Sequence, residues 1–184
     1  MLNDYQRNKL INAVLYFASE TLYCGKTKLF KLLYFLDFEH YKKTGRSVTG
    51  LRYCAWGKGP VPVALYEEME LPHKDMNEKV AFKFKSIGRN KHYIDVKPKA
   101  EFDPSHFSKR ELKLMAKLAT EYRTAKSNSM VEATHIETLP WHRVYVDEGR
   151  KQAEIPYDYA LREEEKEIMG FIKKENDEII QNYR

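Results

Sequence analysis

The stretch KTKLFKLLYFLDFEHYKKTGRSVTGLRYCAWGKGPVP, residues 26–62, decides the fold. Its first half is apolar on every side of a helical axis, and Lys31 is the single charged residue in the run 29–36. A helix of this kind is buried on nearly all of its faces, so residues 26–43 are predicted to form the central helix of the core. Gly45 stands where a left-handed residue would cap the end of that helix.

The second half of this stretch predicts a short strand followed by a rigid turn. Residues 51–56 have the aromatic composition of a strand. Pro60 and Pro62 restrict the backbone on either side of Val61, which enforces an extended conformation there. We call residues 56–62 the elbow.

Alternating apolar and charged residues predict a hairpin near residues 80–85 and 94–97, with its turn at residues 88–90. Together with the strand at residues 51–56, this hairpin is expected to form a three-stranded antiparallel sheet. One face of the hairpin is basic and is interpreted as solvated surface or as a docking patch. The basic residues are Lys83, Lys85, Arg89, Lys91, Lys97 and Lys99.

The rest of the chain is predicted to be mainly helical. Asn3 or Asp4 is a suitable cap for a first helix, and two capping-box sequences begin at Ser108 and Ser129. The predicted further helices span about residues 4–20, 63–69, 109–126, 129–139, 141–146 and 162–182. Residues 1–184 therefore predict one domain of the α+β class, mostly helical, with a central buried helix, a small antiparallel sheet and flanking helices.

Length and composition suit a single folded domain. The chain has 184 residues, of which 42% are hydrophobic. Because there is no long apolar run and the first residues are polar, we expect neither a membrane span nor a signal peptide. Cys24 and Cys54 form no CxxC pair, so a reduced, cytoplasmic protein is expected.

The net charge of +5 is unevenly distributed. Residues 79–126 contain 13 Lys and Arg against 5 Asp and Glu, whereas residues 132–184 contain 8 against 13. A basic segment suits nucleic acid and an acidic protein partner equally well. Charge alone therefore leaves binding of nucleic acid open.

The sequence contains no motif typical of a catalytic, nucleotide or metal site. Gly25-Lys26-Thr27 resembles the end of a phosphate-binding loop but lacks the glycine five residues earlier that the motif requires. The six histidines show neither HExxH nor zinc-finger spacing. Neither cysteine has the signature of a nucleophile around it. We therefore expect no enzyme activity, no cofactor and no bound metal.

Two blocks of motifs in the correct order resemble a known family, the Panacea domain, which is the SocA-like antitoxin domain of bacterial and phage toxin–antitoxin pairs. The resemblance extends over about residues 26–147. The matching positions are Lys28-Leu29, Lys31-Leu32-Leu33-Tyr34-Phe35, Thr44-Gly45-Arg46, Thr49-Gly50, Tyr53, Ala55-Trp56, Gly59-Pro60-Val61-Pro62, Thr134-His135 and Pro140-Trp141. Two departures make the stretch more basic: Leu51-Arg52 replaces an acidic residue after the TG turn, and Lys58 replaces an aromatic residue before the elbow prolines.

The resemblance implies an antitoxin that neutralises a protein toxin, encoded next to it, by direct stoichiometric binding. One branch of the family also delivers its toxin to a Clp-type protease, which adds an adaptor role to the expectation. The residues expected to contact the partner are Tyr53, Trp56, Lys58, Gly59, Pro60, Val61, Pro62, His135 and Trp141. Tryptophans beside proline-rigid loops are most often packing anchors, and this is the competing interpretation of Trp56 and Trp141.

Two other functions stay open on the sequence. One is a DNA-binding regulator of the protein's own operon, supported only by the basic segments. The other is a phage or mobile-element protein that acts on host machinery.

Overall fold

The computed structural model describes residues 3–86, 92–136 and 139–182. Helix α1 (Asp4–Glu20) begins at Asn3, whose side chain accepts a hydrogen bond of 2.8 Å from the backbone N–H of Gln6. The side chain of Gln6 in turn accepts a hydrogen bond from the backbone N–H of Asn3, which completes a capping box. The predicted cap at Asn3 is therefore confirmed.

Helix α2 (Lys26–Thr44) is the central element, as predicted. Residues 28–38 are all buried, and the helix packs against α1 and against several of the later elements. It ends at Gly45, which has a φ of 70° and donates its N–H to the carbonyl of Tyr41. This is the left-handed cap that the sequence predicts.

The strands form two separate antiparallel pairs among the described residues. Strand β1 (Cys54–Trp56) pairs with β2 (Gly59–Val61), and β3 (Val80–Ser86) pairs with β4 (His92–Pro98). The α+β, mostly helical class is confirmed, but the predicted three-stranded sheet is wrong.

The physical reason lies at the second edge of β1, which is already occupied. Residues 152–155 run along this edge. The carbonyl of Ala55 accepts a hydrogen bond of 2.8 Å from the N–H of Gln152, and the N–H of Ala55 donates one of 2.9 Å to the carbonyl of Ala153. The other hairpin lies against the loop between α1 and α2, where Val96 donates its N–H to the carbonyl of Cys24. The predicted turn at residues 88–90, with Arg89 and Lys91, lies outside the described residues.

The remaining elements are short helices and one long C-terminal helix. They are α3 (Val63–Glu68), α4 (Lys74–Lys79), a 3₁₀ turn (Pro104–His106), α5 (Lys109–Glu121), α6 (Ser127–Thr134), α7 (Pro140–His142), a π-helical turn (Arg143–Asp147), a 3₁₀ turn (Tyr157–Ala160) and α8 (Glu163–Asn182). None of the helices described is long and apolar enough to cross a membrane.

Two of the helix starts test the predicted capping boxes. The box at Ser108 is confirmed, since Ser108 and Glu111 cap each other's backbone at the start of α5. The box at Ser129 is wrong: α6 begins at Ser127, with Lys126 as a cap that makes no side-chain hydrogen bond. Helix α4 was not predicted from the sequence, because its six residues are too few to show a helical period.

Buried polar groups on α2 fix the chain that follows it. The carboxylate of Asp37 accepts hydrogen bonds from the backbone of Val48, from the backbone and hydroxyl of Thr49, and from the hydroxyl of Tyr53, at 2.5–2.8 Å. Burial raises the pKa of Asp37 to about 6, although these hydrogen bonds favour the ionised form. One buried carboxylate therefore sets the path from the end of α2 to the start of β1.

Candidate partner-binding elbow

The elbow is the turn of a small hairpin. Trp56 lies opposite Gly59 and Cys54 lies opposite Val61, so Gly57 and Lys58 form a two-residue turn between β1 and β2. Gly57 and Lys58 are exposed, whereas the arm that follows, from Gly59 to Pro62, is buried. The hairpin thus presents only its tip to solvent.

Lys31 of α2 holds the elbow from inside the protein. Its side-chain nitrogen Nζ donates a hydrogen bond of 2.8 Å to the carbonyl of Pro60, and the residue is only 1% exposed. Gly59 allows this approach, because a Cβ there would lie 2.7 Å from Lys31 Nζ and from Thr134 Oγ1. Gly59 also has a φ of +96°, which side chains rarely adopt. Helix α2, the elbow and α6 therefore meet at a position that requires glycine.

Burial changes the acid–base behaviour of Lys31. The amine has lost most of its hydration, and this lowers its pKa to about 7. The neutral amine is therefore much more accessible near neutral pH here than in an exposed lysine. Either form can donate a hydrogen bond to the Pro60 carbonyl, so the contact itself does not require the charge.

A stack of three rings supports the other side of the hairpin. The imidazole of His135 lies on the indole of Trp141 with centroids 3.8 Å apart, and Trp141 lies on Tyr145 at 4.7 Å. The indole Nε1 of Trp141 donates to the carbonyl of Trp56 at 2.9 Å. Burial, together with the nearby charge of Lys31, lowers the pKa of His135 and so favours the neutral imidazole.

The accessible part of this region is aromatic and cationic. Trp56 is half-buried, with its ring 5.2 Å from that of Tyr66. The ammonium of Lys26 lies 4.5 Å from the centroid of the Tyr66 ring. Lys58 extends from the tip and makes no ion pair with any residue that the structure describes.

The structure brings most of the predicted contact residues together but buries many of them. Tyr53 is 1% exposed and bonded to Asp37, and Trp141 is 4% exposed. Of the predicted set, Lys58 is exposed, and Trp56 and His135 are half-buried. The buried members are Tyr53, Gly59, Pro60, Val61, Pro62 and Trp141.

Two supports of the elbow were not predicted from the sequence. Lys31 is one. Its position as a lone charge within an apolar helix was the signal that could have identified it, because a buried charge needs a polar partner. Tyr145 is the other, and its hydroxyl would lie 3.1 Å from a Cβ at Gly57. Nothing near Tyr145 in the sequence indicates this contact, because it depends on the fold.

The tight contact at Gly59 can be tested by comparison with Gly149. Both glycines have positive φ, but a Cβ at Gly149 meets nothing within 4 Å. Each substitution by alanine should lower the free energy of unfolding by about 1 kcal/mol, because a residue with a Cβ disfavours the left-handed backbone conformation. Because Gly59→Ala must also displace Lys31 or Thr134, we expect it to lower the free energy of unfolding by about 2 kcal/mol more than Gly149→Ala does. Urea unfolding measures both, and equal losses would contradict the tight contact.

The lowered pKa of Lys31 predicts a pH dependence of stability. An unfolded chain keeps the lysine proton up to about pH 10.4, whereas the folded protein releases it near pH 7. Between those values the unfolded state binds more protons, so this group makes the folded state more stable as the pH rises. Relative to Lys31→Met, which has no titrating group there, we expect the wild type to gain on the order of 4 kcal/mol from about pH 7 to about pH 10. A difference that does not change with pH would mean that Lys31 titrates normally.

Comparison with known proteins gives one finding. The family model described as antitoxin SocA-like, Panacea domain, matches residues 29–142, which is well over half of the chain and includes the whole elbow, α6 and Trp141. No curated protein and no solved structure matches the chain. The chain belongs to the SocA-like antitoxin family with a Panacea domain.

Proposed function

We propose that this protein neutralises a protein toxin by binding it stoichiometrically through the tip of the elbow. The observation that carries the proposal is the accessibility of Trp56 and Lys58 at the end of a buried, internally fixed hairpin, within the segment that matches an antitoxin family. In this mechanism the bound protein covers the toxin's active site or holds the toxin in an inactive form. No catalysis and no cofactor is needed for that.

The rigidity of the elbow favours binding. Pro60 and Pro62 have fixed φ angles, and Lys31 fixes the carbonyl of Pro60. The indole of Trp56 has few rotatable bonds and is already packed against Tyr66. A surface that is ordered before association loses little conformational entropy when the partner binds.

The chemistry of the tip indicates the kind of toxin surface that fits. Lys58 and Lys26 supply two positive charges beside the aromatic rings of Trp56 and Tyr66. The complementary surface is an apolar patch bordered by carboxylates, since such a patch would both pack against the indole and pair with the ammonium groups. Lys58 stands where the family commonly has an aromatic residue, so acidic groups opposite it would be specific to this protein's toxin.

The buried residues of the predicted set have a supporting role in this proposal. Tyr53, Gly59 and Trp141 hold the hairpin in place, through Asp37, Lys31 and the carbonyl of Trp56 respectively. Substitution of these residues would weaken binding by loosening the elbow. Delivery of the toxin to a Clp-type protease stays a prediction that comes from the resemblance alone.

The first test is genetic and biochemical. The product of the neighbouring gene is expressed in bacteria with and without this protein. Growth arrest that co-expression relieves, together with a one-to-one complex on size-exclusion chromatography, would support the proposal. A toxic neighbour that this protein neither rescues nor binds would contradict it.

A charge reversal at the tip tests the contact itself. Lys58 is exposed and unpaired among the described residues, so Lys58→Glu should leave the fold intact. We expect it to weaken toxin binding about tenfold or more, because it replaces an attraction by a repulsion. The matched control is Lys113→Glu, which makes the same change of charge at an exposed site on α5 and should leave affinity within about twofold.

Trp56→Ala separates the contact role from the packing role. Reduced affinity with unchanged circular dichroism and unchanged unfolding would assign Trp56 to the interface. For the charge-reversal test, an equal loss of affinity in Lys58→Glu and in its control would mean that the toxin does not bind at the elbow.

A further inference from the structure

A basic cleft lies at the opposite end of α2 from the elbow. It has a volume of about 1150 Å³ and opens between the start of α1, the end of α2 and the start of α5, and Ile172 of α8 also lines it. Lys31 and Thr44 are thirteen residues apart on α2, which corresponds to about 20 Å along the helix. The cleft is therefore a different surface from the elbow.

The charge of this cleft is strongly one-sided. Its lining residues contribute five Lys or Arg side chains and a single carboxylate, Glu111. Glu111 is buried and pairs with Lys9 at 2.6 Å, so neither charge is available to a ligand. The other four cations are exposed and make no ion pair within the described part of the chain. They are Lys43, Arg46, Lys109 and Arg110.

The arrangement suits an extended anion better than a small one. At about 1150 Å³ the cleft has room for more than a single carboxylate or phosphate group. The four cations are also divided between the end of α2 and the first turn of α5. A ligand that satisfies both groups must span the cleft and carry several negative charges.

The aromatic residues of the cleft are not arranged to stack bases. The rings of Tyr41 and Tyr157 lie on each other with centroids 5.1 Å apart. The ring of Tyr5 has one face covered by the ammonium of Lys9 at 4.7 Å. Proteins that bind single-stranded nucleic acids gain much of their affinity from bases that stack on accessible aromatic rings. These three rings do not form a series of such stacking surfaces.

Helix α8 places negative charge near the end of α2. Its first turn carries Glu163, Glu164 and Glu165, and Glu165 lies 3.9 Å from Lys42 at the end of α2. A nucleic-acid duplex needs a broad basic face and would meet these carboxylates beside the cleft. A short acidic segment of a protein can enter the cleft without crossing them.

We propose that this cleft binds a short acidic segment of a partner protein, with its carboxylates paired to Lys43, Arg46, Lys109 and Arg110. The inference is independent of toxin binding at the elbow, because it rests on residues at the other end of α2. The low-dielectric walls focus the field of the four cations into the cleft and attract such a segment at low salt.

The test uses the full chain and a fluorescein-labelled deca-glutamate peptide as the probe. Fluorescence anisotropy gives its affinity at about 50 mM and about 200 mM salt. We expect saturable binding that weakens with salt and that falls about tenfold or more in the double variant Arg46→Glu, Arg110→Glu. The matched control is Arg52→Glu, Arg123→Glu, which changes the net charge equally at exposed sites outside the cleft and should bind within about twofold of the wild type.

Three results would overturn the proposal. The first is no peptide binding at low salt, and the second is an equal loss in the control variant, which would mean that only the net charge matters. The third is tighter binding, through the same residues, of a labelled single-stranded oligonucleotide with an equal number of charges. Because the four cations are exposed, circular dichroism of the variants should match that of the wild type, and a mismatch would itself contradict their location on the surface.

Discussion

The hydrogen bond from Lys31 to the carbonyl of Pro60 connects the core of this protein to its candidate binding surface. A lysine in the middle of a buried helix costs desolvation, and an uncharged residue of the same length would fill the space without that penalty. The amine is nevertheless there, bonded to the carbonyl of Pro60 and 2.7 Å from the place that a Cβ of residue 59 would occupy. Its cost is consistent with a role in fixing the position of the hairpin, since a purely apolar helix would leave the carbonyl of Pro60 without this donor.

The sequence predicted those features that depend on nearby residues. The apolar run in residues 26–43 and the glycine at position 45 are local signals, and α2 with its cap has almost the predicted boundaries. The three-stranded sheet failed because the neighbour of β1 is the segment 152–155, about a hundred residues away and without a strand-like pattern. Pairing between distant segments is decided by tertiary packing, which no local pattern encodes.

The same distinction applies to the two surfaces. The motif residues of the elbow were identifiable in sequence, but their division into a buried arm and an exposed tip required the structure. The basic cleft joins Lys43 and Arg46 to Lys109 and Arg110, which are separated by more than sixty residues of chain. In the first half of α2, Lys31 supports the elbow, and in its last turn Lys43 lines the basic cleft. Because residues 28–38 between these two ends are all buried, the core holds both ends of the helix in place.

Hydrogen–deuterium exchange of the free protein and of its complex with the neighbouring gene's product tests the central claim most directly. If the tip of the elbow is the contact, the amides of residues 56–59 exchange more slowly in the complex, because the bound partner excludes water from them. We expect this protection together with unchanged exchange in the already ordered core of α2. Protection elsewhere on the protein, with unchanged exchange at residues 56–59, would contradict binding through the elbow.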